Sequence, residues 1–232
     1  MKVKLVKKQE EARSTKSFYF EPQEKFSWQP GQYFYITLPK LNYPDERGDT
    51  RHFTISSSPT EGNLIRVTTR IRDESGYKKT LDELTIGTKL QGKGPNGLFV
   101  LDEKSKKQNV FIAGGIGITP FRSFIKYNTD NHLDLQFNLI YSNSDNEFVF
   151  KEELDSISNN TDNFKIEYIN TATDGRIYKA KIESYIKKWD LDLKNIKWWV
   201  VGPPPFVTAM EEILENLSVE DSNIETEKFT GY

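Results

Sequence analysis

The chain has 232 residues, 32 basic and 34 acidic side chains, a formal net charge of -2, no cysteine and two histidines, His52 and His132. Near-neutrality excludes a broad electrostatic surface for nucleic acid or anionic lipid. The lack of thiols excludes disulfides, thiolate zinc sites, cysteine nucleophiles and an iron–sulfur cluster held by this chain alone, and two histidines argue against a metal centre or a serine–histidine relay.

The length suits two small domains, each with its own core. No apolar run approaches the roughly 20 residues of a membrane span. The start, MKVKLVKKQEEARS, lacks the apolar core of a signal peptide, so the expectation is a cytoplasmic protein.

From Met1 to about Leu101 the segments are short and β-prone: SFYF, QYFYITL, HFTIS, NLIRVTTRI and TKLQGKG, set apart by Gly, Pro, Asn and Asp turns. This predicts an antiparallel barrel or sandwich. In RHFTISSSP, strand alternation puts Arg51, Phe53 and Ile55 on one face and His52, Thr54 and Ser56 on the other. An ordinary amphipathic strand would look the same. Downstream, DESGYKKTL sets Lys78 and Lys79 beside a glycine turn, and the two segments together could offer cationic and backbone donors to a pyrophosphate.

The charged stretch DEKSKKQ marks the expected boundary between a first domain, residues 1–102, and a second, residues 103–232. Beyond it the rhythm becomes strand and helix: NVFIAGG then PFRSFIKYN, LQFNLIYS then EFVFKEELDSI, FKIEYIN then YKAKIESYIKKW, KWWVVG then PPFVTAMEEILENL, and last NIETEKF. Five strands alternating with four helices predict a parallel sheet with crossover helices.

At the first of these turns, Gly114, Gly115 and Gly117 precede Thr119-Pro120. A strand delivered to such a turn leaves backbone N–H groups and a helix N-terminus facing outward, a seat for a phosphate or a nicotinamide ribose. A tight structural turn would use the same residues. The spacing is not the dinucleotide fingerprint G-x-G-x-x-G, since Thr119 and Pro120 stand where a third glycine belongs. In WWVVGPPPF, the prolines after Gly202 start a helix at the carboxyl end of the fourth strand, where such sheets bind ligands.

Taken in order, RHFTIS, GPNGLF, GGIGITP, VVGPPPF and the terminal EKFTGY resemble the motifs R-x-Y-[ST]-x-S, G-P-x-G-x-F, G-G-x-G-x-[TS]-P and C-G-P-x-x-[FM] and the C-terminus of the ferredoxin–NADP reductase family. The resemblance covers nearly the whole chain. It implies an N-terminal antiparallel β-barrel that carries FAD, more than FMN, followed by a five-stranded parallel α/β domain for NADH or NADPH. By resemblance Arg51 binds the flavin pyrophosphate, Phe53 lies against the flavin or its ribityl chain, and Thr54 hydrogen-bonds near the flavin N5 atom. Ser75, Gly76, Tyr77 and Lys78 close around the pyrophosphate. Thr119, Gly202 and Pro203 line the nicotinamide side, and a C-terminal aromatic covers the flavin, Phe229 by spacing, with Tyr232 as the other ring in reach.

His52, Thr68, Thr69 and Gly115 complete the expected cofactor-binding set, with Thr54 and Glu227 as the candidate catalytic pair and no metal. The family's tyrosine is here Phe53, which keeps the ring and loses the hydroxyl, and its cysteine before Gly-Pro is Val201. Its glycine–serine spacing in the second flavin motif is also not met, because Lys79 stands three residues after Gly76.

The implied activity is hydride transfer from NAD(P)H to flavin, then electrons to an acceptor: a ferredoxin-like protein, another redox partner or a small molecule. Two other readings are a subunit active only in a larger complex and a non-enzymatic flavin- or nucleotide-binding regulator. The stretch after the second α/β strand, Tyr141 to Asp145, holds an acid and no base, which leans toward NADH.

Overall fold

Eleven strands and five α-helices form among the described residues, 1–105 and 107–230, of the computed structural model. Two units separate by their internal packing: Met1–Leu101 with Arg122–Asp130, and Asp102–Phe121 with Asn131–Tyr232.

The first unit is a six-stranded antiparallel sheet of β1 (Lys2–Ala12), β2 (Thr15–Pro22), β3 (Tyr33–Thr37), β4 (Thr50–Thr54), β5 (Ile65–Arg70) and β6 (Lys89–Asn96), in the order β4-β3-β6-β1-β2-β5. A bridge between Ile55 and Val67, with Ser56 N donating to the Arg66 carbonyl at 2.8 Å, joins the two outer strands. The expected barrel is thus the observed one. Its core holds Val3, Leu5, Phe18, Phe20, Phe34, Ile36, Ile65 and Val67, all without exposed surface. β1 is absent from the expected strands because only Val3 and Leu5 of its first half point inward, and its lysines face solvent.

A string of buried hydroxyls crosses this unit. Arg66 Nε donates to Ser17 Oγ (2.9 Å), Ser17 lies 2.7 Å from Thr68 Oγ1, Thr68 lies 2.9 Å from Ser56 Oγ, and Ser56 donates to the Arg66 carbonyl (3.1 Å). Helix α1 (Gly76–Glu83) also escapes the sequence reading, which places only a glycine turn there. Ser75 caps it, its Oγ accepting from Lys78 N at 3.2 Å, as N-cap serines do.

The rest of the chain alternates β7 (Gln108–Gly114), α2 (Ile118–Asn131), β8 (Phe137–Asn143), α3 (Lys151–Asn160), β9 (Phe164–Asn170), α4 (Lys179–Lys188), β10 (Ile196–Gly202), α5 (Pro204–Asn216) and β11 (Ile224–Lys228), all in the second unit except Arg122–Asp130 of α2, which pack with the first. Its sheet is parallel throughout, ordered β11-β10-β7-β8-β9. Near-continuous apolar runs suit strands covered on both faces, and β7 accordingly buries Val110 to Ala113 completely or nearly so. The order reverses between β7 and β10, so the ligand-binding crevice of such a sheet lies beyond the ends of these two strands.

One helix differs from expectation. EFVFKEELDSI reads as helical from its start, yet Phe148, Val149 and Phe150 are buried ahead of α3, Phe150 with φ of 64°. Packing decides this: Phe148 meets the Tyr141 ring edge-on, centroids 5.0 Å apart, and burial of the three side chains outweighs helical propensity.

Candidate functional site

In the first unit β4 is held by β3, with Arg51 opposite Ile36, Phe53 opposite Phe34 and Thr54 opposite Tyr33. Arg51 is buried, and its guanidinium has local partners: Nη1 donates to the carbonyls of Arg47 (2.8 Å), Gly48 (3.0 Å) and Thr50 (2.7 Å), and Nη2 pairs with Asp45 Oδ1. The other carboxylate oxygen of Asp45 accepts from Ser75 Oγ at 3.1 Å and from Tyr77 N at 2.9 Å. Three groups expected to meet a pyrophosphate therefore converge on one anion, the Asp45 carboxylate. Burial works to raise the Asp45 pKa, but hydrogen bonds from the Tyr77 and Arg47 backbone and the Arg51 charge outweigh it and hold the carboxyl below its usual value.

Around that seat the positive charge is dense. Lys78 is buried, and its pKa is pushed down to about 8, first by burial and then by Arg72, Arg47 and Arg51. A buried lysine amid three guanidinium groups suits an anion of more than one charge. Residues able to hold the FAD diphosphate are thus present: a carboxylate already stands on Arg51 and the α1 N-terminus, and further cations stand beside it.

The Tyr77 side chain has no exposed surface, and its hydroxyl donates to the Ile36 carbonyl at 2.9 Å, so α1 offers the Tyr77 N–H and not the ring. Thr68 is engaged by Ser17 and Ser56 in the hydroxyl string, and Thr69 is buried. Phe53 is half-buried, 6.0 Å from the Tyr77 ring centroid, and Thr54 is buried at the end of β4. His52 lies on the opposite face, its ring partly covered beside those of Tyr33 and Tyr35, and that partial desolvation and then Arg47 lower its pKa.

In the second unit the glycines of the first turn divide by role. A Cβ on Gly117 would collide with the Val201 carbonyl, and one on Gly114 would come within 2.7 Å of the Phe206 ring. Gly115 differs, with φ of 55° and nothing nearer to such a Cβ than Asn143 Oδ1 at 3.8 Å. Two of the three glycines are there for packing, and Gly115 alone leaves open space. Thr119 is buried, its hydroxyl donating to the Ile116 carbonyl at 3.1 Å, and Pro120 is the third residue of α2, not the first.

Gly202 ends β10 beside this turn, and Pro203 precedes α5 as its cap residue. β11 pairs Val201 with Glu227 and Gly202 with Lys228, and Phe229 N donates to the Gly202 carbonyl at 2.9 Å. The carboxyl edge of β7, β10 and β11 thus gathers Gly115, Thr119, Gly202, Pro203, Glu227 and Phe229. Glu227 Oε2 is buried with no hydrogen-bond partner among the described residues, and burial pushes its pKa up to about 7. Tyr232 lies outside the described residues.

Asp45 and Phe206 are the participants that the sequence reading omits. A signal for Asp45 existed: an acid six residues before Arg51, in a turn between Pro44 and Gly48. No group of three or more His, Asp or Glu among the described residues could hold a metal, and no helix there is long and apolar enough to cross a membrane.

Comparison with known proteins identifies the domains that carry these sites. Residues 2–101 match the family model for an oxidoreductase FAD-binding domain, and residues 111–212 that for an oxidoreductase NAD-binding domain. Flavohemoprotein A of Dictyostelium discoideum is 27% identical across 96% of this chain and 58% of its own length. NADH-cytochrome b5 reductase 1 of Mortierella alpina is 28% identical across 75% of this chain and 60% of its own. The chain therefore spans under two thirds of these relatives. The FAD/NAD-binding domain of nitric oxide dioxygenase from Vibrio cholerae superposes with a TM-score of 0.83 at 19% identity, over 98% of both chains.

Proposed function

Because the chain belongs to the ferredoxin–NADP reductase family of FAD- and NAD-binding oxidoreductases, we propose that it oxidises NADH through bound FAD and hands the electrons to a separate redox partner. The observation that carries this reading is the pairing of an anion seat on Arg51, Ser75 and the Tyr77 N–H in one unit with an open glycine turn and a desolvated acid at the sheet edge of the other. FAD, when bound, would supply the chemistry of hydride acceptance and onward electron transfer.

The protein's own groups bind, orient and hold protons. Arg51, Lys78 and the α1 N-terminus hold the diphosphate, and Phe53 offers a flat ring to the flavin. Thr54 supplies a hydroxyl near the flavin N5. Gly115, Thr119, Gly202 and Pro203 would line the nicotinamide seat, and Phe229 would offer the ring that covers a bound flavin. Glu227, with a pKa near neutrality, is suited to keep or give up a proton at its carboxylate.

NADH is favoured over NADPH because the turn after β8 is acidic: Asn143 Nδ2 donates to Asp145 Oδ1 at 2.8 Å. A 2′-phosphate there would face a carboxylate. The domains are read as 1–102 for FAD and 103–232 for the nucleotide, in the cytoplasm. The test is the absorption spectrum of the purified chain under anaerobic conditions. A yellow protein bleached by NADH, with a clearly higher specificity constant for NADH than for NADPH, is expected. A colourless protein, or a yellow one that NADH and NADPH both leave unbleached, overturns the enzymatic reading.

A further inference from the structure

The loop from Asn42 to Gly48 is seated on α1 more firmly than a turn between strands requires. Asn42 N donates to Thr80 Oγ1 at 3.0 Å, the Lys79 ammonium stands 4.2 Å from the Tyr43 ring centroid, and any side chain at Gly76 would strike the Pro44 carbonyl. In the middle of the loop Asp45 lies at the start of the helix, where its carboxylate takes Arg51 Nη2, Arg47 N, Ser75 Oγ and Tyr77 N. These include the donors assigned above to the FAD diphosphate. A carboxylate and a diphosphate are both anions and cannot share those donors.

We infer that Asp45 is a resident competitor for the flavin diphosphate: it occupies the seat on Arg51 and α1, and FAD binds by displacing it. The inference rests on the flavin reading above and adds a rule for loading. With Asp45 docked, Arg51 Nη2, Ser75 Oγ and the Tyr77 N–H are satisfied from within the chain. Once Asp45 leaves, Arg51 Nη2, Ser75 Oγ and the Tyr77 N–H turn to a diphosphate, which brings more negative charge and more acceptor oxygens to them than a single carboxylate does. Gly48, with φ of 73° and open space around its Cβ position, gives the loop a point about which to swing. A flavin without phosphate gains nothing from the exchange, so Asp45 also sets which flavins meet competition.

The test compares the full chain, freed of flavin, with Asp45→Asn, which keeps the shape and hydrogen-bonding oxygen and removes the charge. Titrations with FAD, riboflavin and inorganic pyrophosphate are read by calorimetry, and thermal melting is recorded without flavin. Removing a competitor raises the binding-competent fraction, so Asp45→Asn is expected to bind FAD and pyrophosphate roughly tenfold tighter. It should bind riboflavin unchanged and melt at a lower temperature when empty. Opposite signs for affinity and stability are what a simple helix cap would not produce, since losing a cap weakens both.

Wild-type binding of FAD with an Asp45→Asn affinity equal or weaker overturns the inference. If neither protein takes up any flavin, the flavin reading itself fails, and the pyrophosphate arm alone decides whether Asp45 competes. Asp45→Ser serves in the same titrations should the asparagine variant not fold.

Discussion

Both units bring a strand and a helix start together at a glycine, and they finish the job in opposite ways. At α1 the Ser75 hydroxyl, the Tyr77 N–H and Arg51 Nη2 all find an internal acceptor, because Asp45 reaches across to supply one. At the edge of β7 and β10 the backbone is packed tight by Phe206 and the Val201 carbonyl, yet the neighbouring acid, Glu227, holds one buried oxygen with no partner among the described residues. The first site is closed on an anion of the chain's own; the second is tightly packed backbone beside a polar atom without a partner among the described residues. A buried polar group without a partner costs about 1–3 kcal/mol, and a ligand or proton at Glu227 offsets that cost.

The largest effect should come from breaking the closed site. Arg51→Ala leaves Asp45 buried without its guanidinium, and removal of one partner from a buried pair costs about 3–5 kcal/mol. Urea unfolding should show that loss, and flavin should wash out of the variant on dilution. Retention of FAD at wild-type affinity would remove Arg51 from the diphosphate seat.

The tightly packed site gives way more gently. Gly117→Ala forces a methyl group against the Val201 carbonyl, and overpacking of this kind costs about 1–3 kcal/mol. NADH titration should show weakened binding while flavin absorbance is retained. Equal loss of both ligands would mean that the two sites are not independent, contrary to the comparison.

The smallest effect sharpens the contrast through pH. The Glu227 pKa is raised from 4.5 to about 7 by burial, so the folded state holds a proton that the unfolded chain has released. Its stabilising share is therefore full below pH 4.5, falls as pH rises, and is gone once pH passes about 7. Glu227→Gln cannot titrate, so its melting temperature should gain on the wild type across that window and run parallel above it. A constant difference from pH 4 to 8 would place Glu227 in solvent.

Sequence reading succeeded where one local rule decides the structure. The buried parallel strands announce themselves as apolar runs, and the prolines after Gly202 can only begin a helix. It failed where distant partners decide. β1 alternates too many lysines to look like a strand, although Val3 and Leu5 find a core made by other segments. α1 is polar, and its cap and packing come from Ser75 and from the loop ahead of β4. Arg51 was legible as an anion ligand from its motif, but no motif states which anion it holds. The Asp45 contact spans two segments, so it appears only when both are folded.

The hydroxyl string of the first unit has one further consequence, for alignment of the sheet. Because Arg66 Nε donates to Ser17 and Ser56 donates to the Arg66 carbonyl, each hydroxyl between must hand its proton onward in the same direction, from Ser17 to Thr68 to Ser56. The circuit begins and ends on one residue, and each bond in such a run polarises the next. Were β5 to slide by a single position, Val67 or Thr69 would replace Thr68. Val67 would set methyl groups between Ser17 and Ser56, and Thr69 would bring the arginine to the wrong neighbour. Strand slippage turns every side chain to the other face, and here it would also break a closed ring of protons. β5 is an outermost strand in the hydrogen-bonded order, paired along its length only to β2, and the ring acts as a ratchet pawl that fixes it at one notch.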